Sequence, residues 1–94
     1  MPPEPWAPGQ KERYQHALEV AWDDLDNTFR LTVRRVGLQS MAAQHAQTYM
    51  RRARVLKDMV EGLLAKPTVT ETAPPAIRKA VAELVEFKNT ISRL

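Results

Sequence analysis

The chain contains no cysteine. That excludes disulfides, thiolate metal sites and thiol catalysis, and makes the reducing cytoplasm the expected compartment. With three glycines in all, it holds no Gly-rich phosphate loop. Its only serines are Ser40 and Ser92, and His45 lies five residues after Ser40, off the same helix face. No serine–histidine pair for nucleophilic catalysis is therefore legible. No apolar run reaches the roughly 18 residues that a membrane-spanning helix needs. The opening Met1–Trp6 lacks a basic stretch followed by an apolar one, so no secretory signal is expected. Proline is missing from the whole stretch between Gly9 and Lys66. Because proline breaks helix interiors, its absence there leaves room for long helices.

What is present is ordinary for a folded protein: 94 residues, 44% hydrophobic and 27% charged. That length makes one domain at most, burying about 60–65% of its unfolded surface. Between Lys11 and Val36 the apolar stripe runs Tyr14, Leu18, Ala21, Leu25, Phe29, Thr32, Val36. Steps of three and four residues predict an amphipathic helix. Gly37 can take the left-handed conformation that ends a helix, and Ser40 can cap the next. That second helix carries Ala42, Ala46, Tyr49, Ala53, Leu56, Val60 and Leu63 and stops before Pro67. A third begins at Pro74 or Pro75 and buries Ala80, Leu84, Phe87, Ile91 and Leu94.

The expected fold class is thus all-α: a long antiparallel helical hairpin plus a shorter third helix, as a three-helix bundle or part of an oligomeric one. The organisation is a Pro-rich tail over 1–9, the hairpin over 10–66, a Pro/Thr linker over 67–74 and a C-terminal helix over 75–94. Thr68–Thr72 has strand-like residue types, but a lone strand has no expected partner here. The competing architecture is one continuous rod across Gly37, since a single glycine costs a helix only about 1 kcal/mol. A helix of about 55 residues is far beyond ordinary lengths, so the hairpin is preferred.

The net charge of +3 conceals a division. Residues 1–29 carry Lys11 and Arg13 against Glu4, Glu12, Glu19, Asp23, Asp24 and Asp26. Residues 30–57 carry Arg30, Arg34, Arg35, Arg51, Arg52, Arg54 and Lys57 with no acid at all. A turn centred near residues 38 and 39 brings Asp26 level with Arg51 and Asp23 level with Arg54, which supports the hairpin and predicts ion pairs between its arms. Arg30, Arg34 and Arg35 at the tip, with Arg52 and Lys57, are expected to lack a carboxylate partner. A basic tip of this kind is a solvated surface or a docking point for phosphate or an acidic protein.

Gly37, Leu38 and the following polar residues resemble a helix-turn-helix turn. In that reading Gln39, Ser40, Gln44 and His45 face nucleic acid while Arg34 and Arg35 hold phosphates. Val33 is bulky where the helices would cross, and the second helix runs about 20 residues too far. Glu12, His16 and Glu19 share a helix face, but helix two supplies no matching ligand set, so no metal site and no cofactor are expected. Asp23/Asp26 and Glu83/Glu86 are paired carboxylates without the lysine or asparagine residues of a Mg²⁺ site. No small-molecule substrate is evident, and the chain is expected not to be an enzyme.

Trp6, among prolines, either folds back over the open end of the bundle or anchors a partner; fold-back is preferred. Trp22 belongs to core or interface. Met41, Met50 and Met59 either fill gaps in an alanine-rich core or line an adaptable groove. Apolar residues flank every stripe: Val20, Trp22, Leu31 and Val33, then the three methionines, then Ile77, Val81 and Val85. One bundle of this size is not expected to cover them all. The sequence therefore predicts a non-enzymatic interaction module that forms a homodimer or binds a partner protein through apolar helix faces. A small nucleic-acid-binding regulator is the alternative.

Overall fold

In the computed structural model, which describes residues 3–94, three helices carry the fold. α1 runs Gln10–Val36, α2 Met41–Leu64 and α3 Ala73–Ser92. Gly37 has φ 91°, a value that side-chain-bearing residues rarely adopt, and its N–H donates to the Val33 carbonyl at 2.8 Å. Ser40 then starts α2. Its hydroxyl oxygen accepts the Ala43 N–H at 3.1 Å and its O–H donates to the Gly37 carbonyl at 2.7 Å. The chain reverses within four residues. The longest dimension, 49 Å, suits a folded-back helix of 27 residues, about 40 Å long. A continuous rod would be about twice that.

Each helix packs on the other two. The stripes meet in one core of Leu18, Ala21, Leu25, Ala46, Ala53, Val60, Leu64, Ile77, Ala80, Leu84 and Ile91. Ala43, Ala46 and Ala53 are fully buried, so α2 comes close to its neighbours without large side chains at these points. Thr32, the one buried polar residue among those described, donates its hydroxyl to the Ile91 carbonyl at 3.4 Å. The polar group is thereby satisfied where water is excluded.

The linker differs from expectation. Thr68–Val69 forms a two-residue strand, β2, that pairs antiparallel with β1, Glu4–Pro5, in the register Glu4↔Val69 and Pro5↔Thr68. The N-terminal tail supplies the partner that a search for a second strand-like run misses. α3 also opens two residues early, at Ala73, because Pro74 and Pro75 fit its first turn, where a backbone N–H has no intrahelical acceptor and proline's lack of one costs nothing. Trp6 folds back over this end. Its indole N–H donates to the Lys66 carbonyl at 2.8 Å, and its ring meets Tyr14 edge-on at 6.4 Å.

Candidate functional site

α3 covers one side of the hairpin and leaves the other open. On that open side lies a groove of about 390 Å³ between α1 and α2, lined by Trp22, Gln47, Met50, Arg51 and Arg54. The helix period places Trp22 one residue beyond the buried Ala21, on the flank of α1 that faces α2. Met50 stands at the same kind of border on α2. Both are half-buried and pack on the core. The Arg54 guanidinium sits 5.1 Å from the Trp22 ring centroid and the Lys57 ammonium 5.2 Å from it. The tryptophan face thus carries positive charge on an apolar floor.

These contacts also show the level of one arm against the other. Trp22 lies beside Arg54 and Lys57, and farther along the hairpin Gln15 and Glu19 line a second depression with Glu61. That is the antiparallel alignment anticipated from a turn near residues 38 and 39.

The anticipated ion pairs between the arms do not form. Asp26 binds Arg30 one turn away at 3.1 Å instead of Arg51, and Arg54 lies on Trp22 instead of against Asp23. The only interhelical ion pair among the described residues joins Asp24 to Lys88 of α3 at 3.2 Å. Arg30 and Lys57 are not the partnerless cations expected. Arg30 takes Asp26 four residues before it, and Lys57 takes Glu61 four residues after it at 2.8 Å. Neighbours one turn apart share a helix face, so these local carboxylates are nearer than any across the hairpin. Asp23, Arg51 and Arg54 make no ion pair among the described residues.

The tip gathers most of the other sequence candidates. Arg34, Arg35, Gln39, Gln44 and His45 are exposed there, and Arg52 is exposed midway along α2, about 17 Å from its start. Ser40 is not available in the same way, because both of its hydrogen bonds are spent in the turn. The hairpin keeps α2 alongside α1 down its length, where a helix-turn-helix sets its second helix across the first.

The methionines separate. Met50 lines the groove, whereas Met41 and Met59 are 68% and 42% exposed on the outer side of α2, with Val55 between them. Trp6 is half-buried with its N–H engaged. His16 and His45 are both exposed, and among the described residues no three His, Asp or Glu side chains come together as metal ligands. No described helix is long and apolar enough to cross a membrane.

What the sequence reading missed is the grouping itself. Trp22, Met50, Arg51 and Arg54 stand out singly in the sequence, but charge pairing points the cations at carboxylates, whereas Arg54 lies on the tryptophan. Compared with family models, with curated proteins and with solved structures, the chain has no match in any of the three.

Proposed function

We propose that this protein is a non-enzymatic assembly module that docks other protein surface, its own or a partner's, through the outer groove of the α1–α2 hairpin. The observation that carries this reading is the open groove of Trp22 and Met50 bordered by Arg51 and Arg54. Tryptophan and arginine are the residues most enriched at interaction hot spots, and a half-covered tryptophan ring gains most from being covered completely.

Sedimentation equilibrium from low to high micromolar protein tests the self-assembly branch. The expected result is a mass that rises with concentration above the 10.7 kDa of one chain and falls back toward it in Trp22→Ala.

A second reading, a nucleic-acid-binding regulator, draws on the exposed tip of Arg34, Arg35, Gln39, Gln44 and His45, with Arg52 exposed farther along α2. Phosphate contacts release counterions, so such binding falls steeply with salt. Micromolar binding of duplex DNA by fluorescence anisotropy at physiological salt, lost when Arg30, Arg34 and Arg35 become alanine, would replace the first reading with this one.

A further inference from the structure

The charges around the groove are arranged to be completed by a second copy of the chain. Resting on the assembly reading above, we propose that two copies pack groove to groove about a twofold axis running parallel to the helices.

A face-to-face pair of hairpins has two simple twofold arrangements. An axis across the helices lays α1 on α1 and α2 on α2. With that axis level with the groove, the acidic stretch Glu19, Asp23 and Asp26 lies against its own copy and the pair Arg51 and Arg54 against its own, like charge toward like on both seams. An axis along the helices lays α1 of each copy on α2 of the other and keeps every residue at its own level. The levels are those set within one chain, where Trp22 lies beside Arg54 and Lys57. Asp23 then meets Arg54 of the second copy, and Asp26 meets Arg51 of the second copy. These are the pairings the sequence predicts and the single chain leaves unmade. Among the described residues Asp23, Arg51 and Arg54 have no ion pair of their own. Asp26 holds only Arg30, whose side chain is 75% exposed. Glu19 lies level with Lys57 and Asp58, which cancel.

The apolar centre agrees with the rim. Trp22 and Met50 lie in the groove, and this axis brings the two grooves together, so each tryptophan is covered by the other copy. Four arms, two from each chain, enclose that centre, with both α3 helices outside. The hairpin face is about 36 Å long, from the 24 residues of α2, and the cross-section of the molecule is 20 × 17 Å. One copy therefore offers about 600–700 Å², close to the 800 Å² or so per partner of a standard stable interface. Because Asp23 and Asp26 face Arg51 and Arg54 twice over, each charge contributes at two symmetric positions.

The test is a charge exchange within the full chain, read by sedimentation equilibrium with circular dichroism as the check on folding. D23R/D26R alone and R51E/R54E alone each place like charges on both seams, and each is expected to weaken the dimer at least tenfold. The fourfold variant D23R/D26R/R51E/R54E restores opposite charges on both seams and returns dissociation to within about threefold of wild type. Where a reversal unfolds the chain, the neutral pairs D23N/D26N and R51Q/R54Q replace it, and their combination is expected to cost less than the sum of the two. A wild type that stays at 10.7 kDa at high micromolar protein overturns the dimer while leaving docking of a different protein in place. A dimer indifferent to either double variant overturns this axis and leaves self-assembly standing through another face. A folded fourfold variant that remains monomeric also overturns it.

Discussion

Toward α3 the hairpin presents Leu18, Leu25, Ala46, Ala53 and Val60, none more than 3% exposed, whereas its opposite side presents Trp22, Gln47, Met50, Arg51 and Arg54 around an open groove. The same two helices build both sides. On the sealed side the side chains are aliphatic or small, so α3 can seat Leu84 and Ile91 against them with no surface left over. On the open side the residues are amphipathic: an indole, a thioether and two guanidinium groups on long stems. Such groups tolerate water at one end and exclude it at the other. The first kind of surface holds a chain together, and the second suits an association that can be made and broken.

Leu84→Ala is the sharpest way to break this contrast. Leu84 is fully buried between α3 and the hairpin, and truncation of such a leucine leaves a cavity worth about 2–5 kcal/mol. In a domain of this size that is a large share of total stability. Urea unfolding should show the loss in the midpoint with little change in slope. A loss below about 1 kcal/mol would mean that α3 is loosely held and that the two sides differ less than their burial implies.

Both sides depend on the arms remaining level, and that is set by the turn. Ser40→Ala removes the acceptor for the Ala43 N–H and the donor to the Gly37 carbonyl. Loss of such a cap typically costs about 1 kcal/mol. Urea titration checks it, and a cost near zero would place the control of level in the core rather than in the turn.

The contrast was only partly visible in the sequence. Helix period recovers most of the sealed side, because Leu18, Ala21, Leu25 and Thr32, or Ala46, Ala53 and Val60, recur at steps of three, four or seven on one face. At the two ends of α2 it is one residue off, since Ala43 and Leu64 are buried and the expected Ala42 and Leu63 only partly so. Gly37 and Ser40 gave the reversal, since each has a conformational or hydrogen-bonding reason to stand where a helix ends or begins. The open groove was harder to read. Trp22 flanks the apolar stripe beside its buried neighbours, and periodicity does not say whether α3 reaches it. The charges misled for a related reason. Asp26 and Arg51 are level across the hairpin, but Arg30 is one turn from Asp26 and so reaches it first. The β1–β2 pair escaped because two residues of strand have no period to detect. Pairing the start of the chain with residue 69 is a tertiary fact that local pattern does not contain.

The smallest expected effect on folding belongs to Arg51 and Arg54, and it sharpens the comparison most. Both side chains are exposed. Among the described residues Arg51 has only a long contact to Thr48 at 3.4 Å, and Arg54 only the face of Trp22. Replacing both by glutamine keeps the polar surface and most of the stem while removing the charge. Surface changes of this kind usually shift stability by no more than about 0.5 kcal/mol, and the loss of Arg54 from the Trp22 face adds less than the ~0.5 kcal/mol of an exposed cation–π contact, because Lys57 stays 5.2 Å from the same ring. R51Q/R54Q should therefore unfold within about 1 kcal/mol of wild type in urea. In the sedimentation experiment the same variant should dissociate at least tenfold more readily, because each charge is used twice in a symmetric pair. Leu84→Ala, measured below its own unfolding midpoint, should keep the wild-type dimer constant within a few-fold, since α3 lies outside the proposed seam. If R51Q/R54Q instead destabilises the fold as much as it weakens association, the two sides of the hairpin are not separate in energy, and the groove is part of the core.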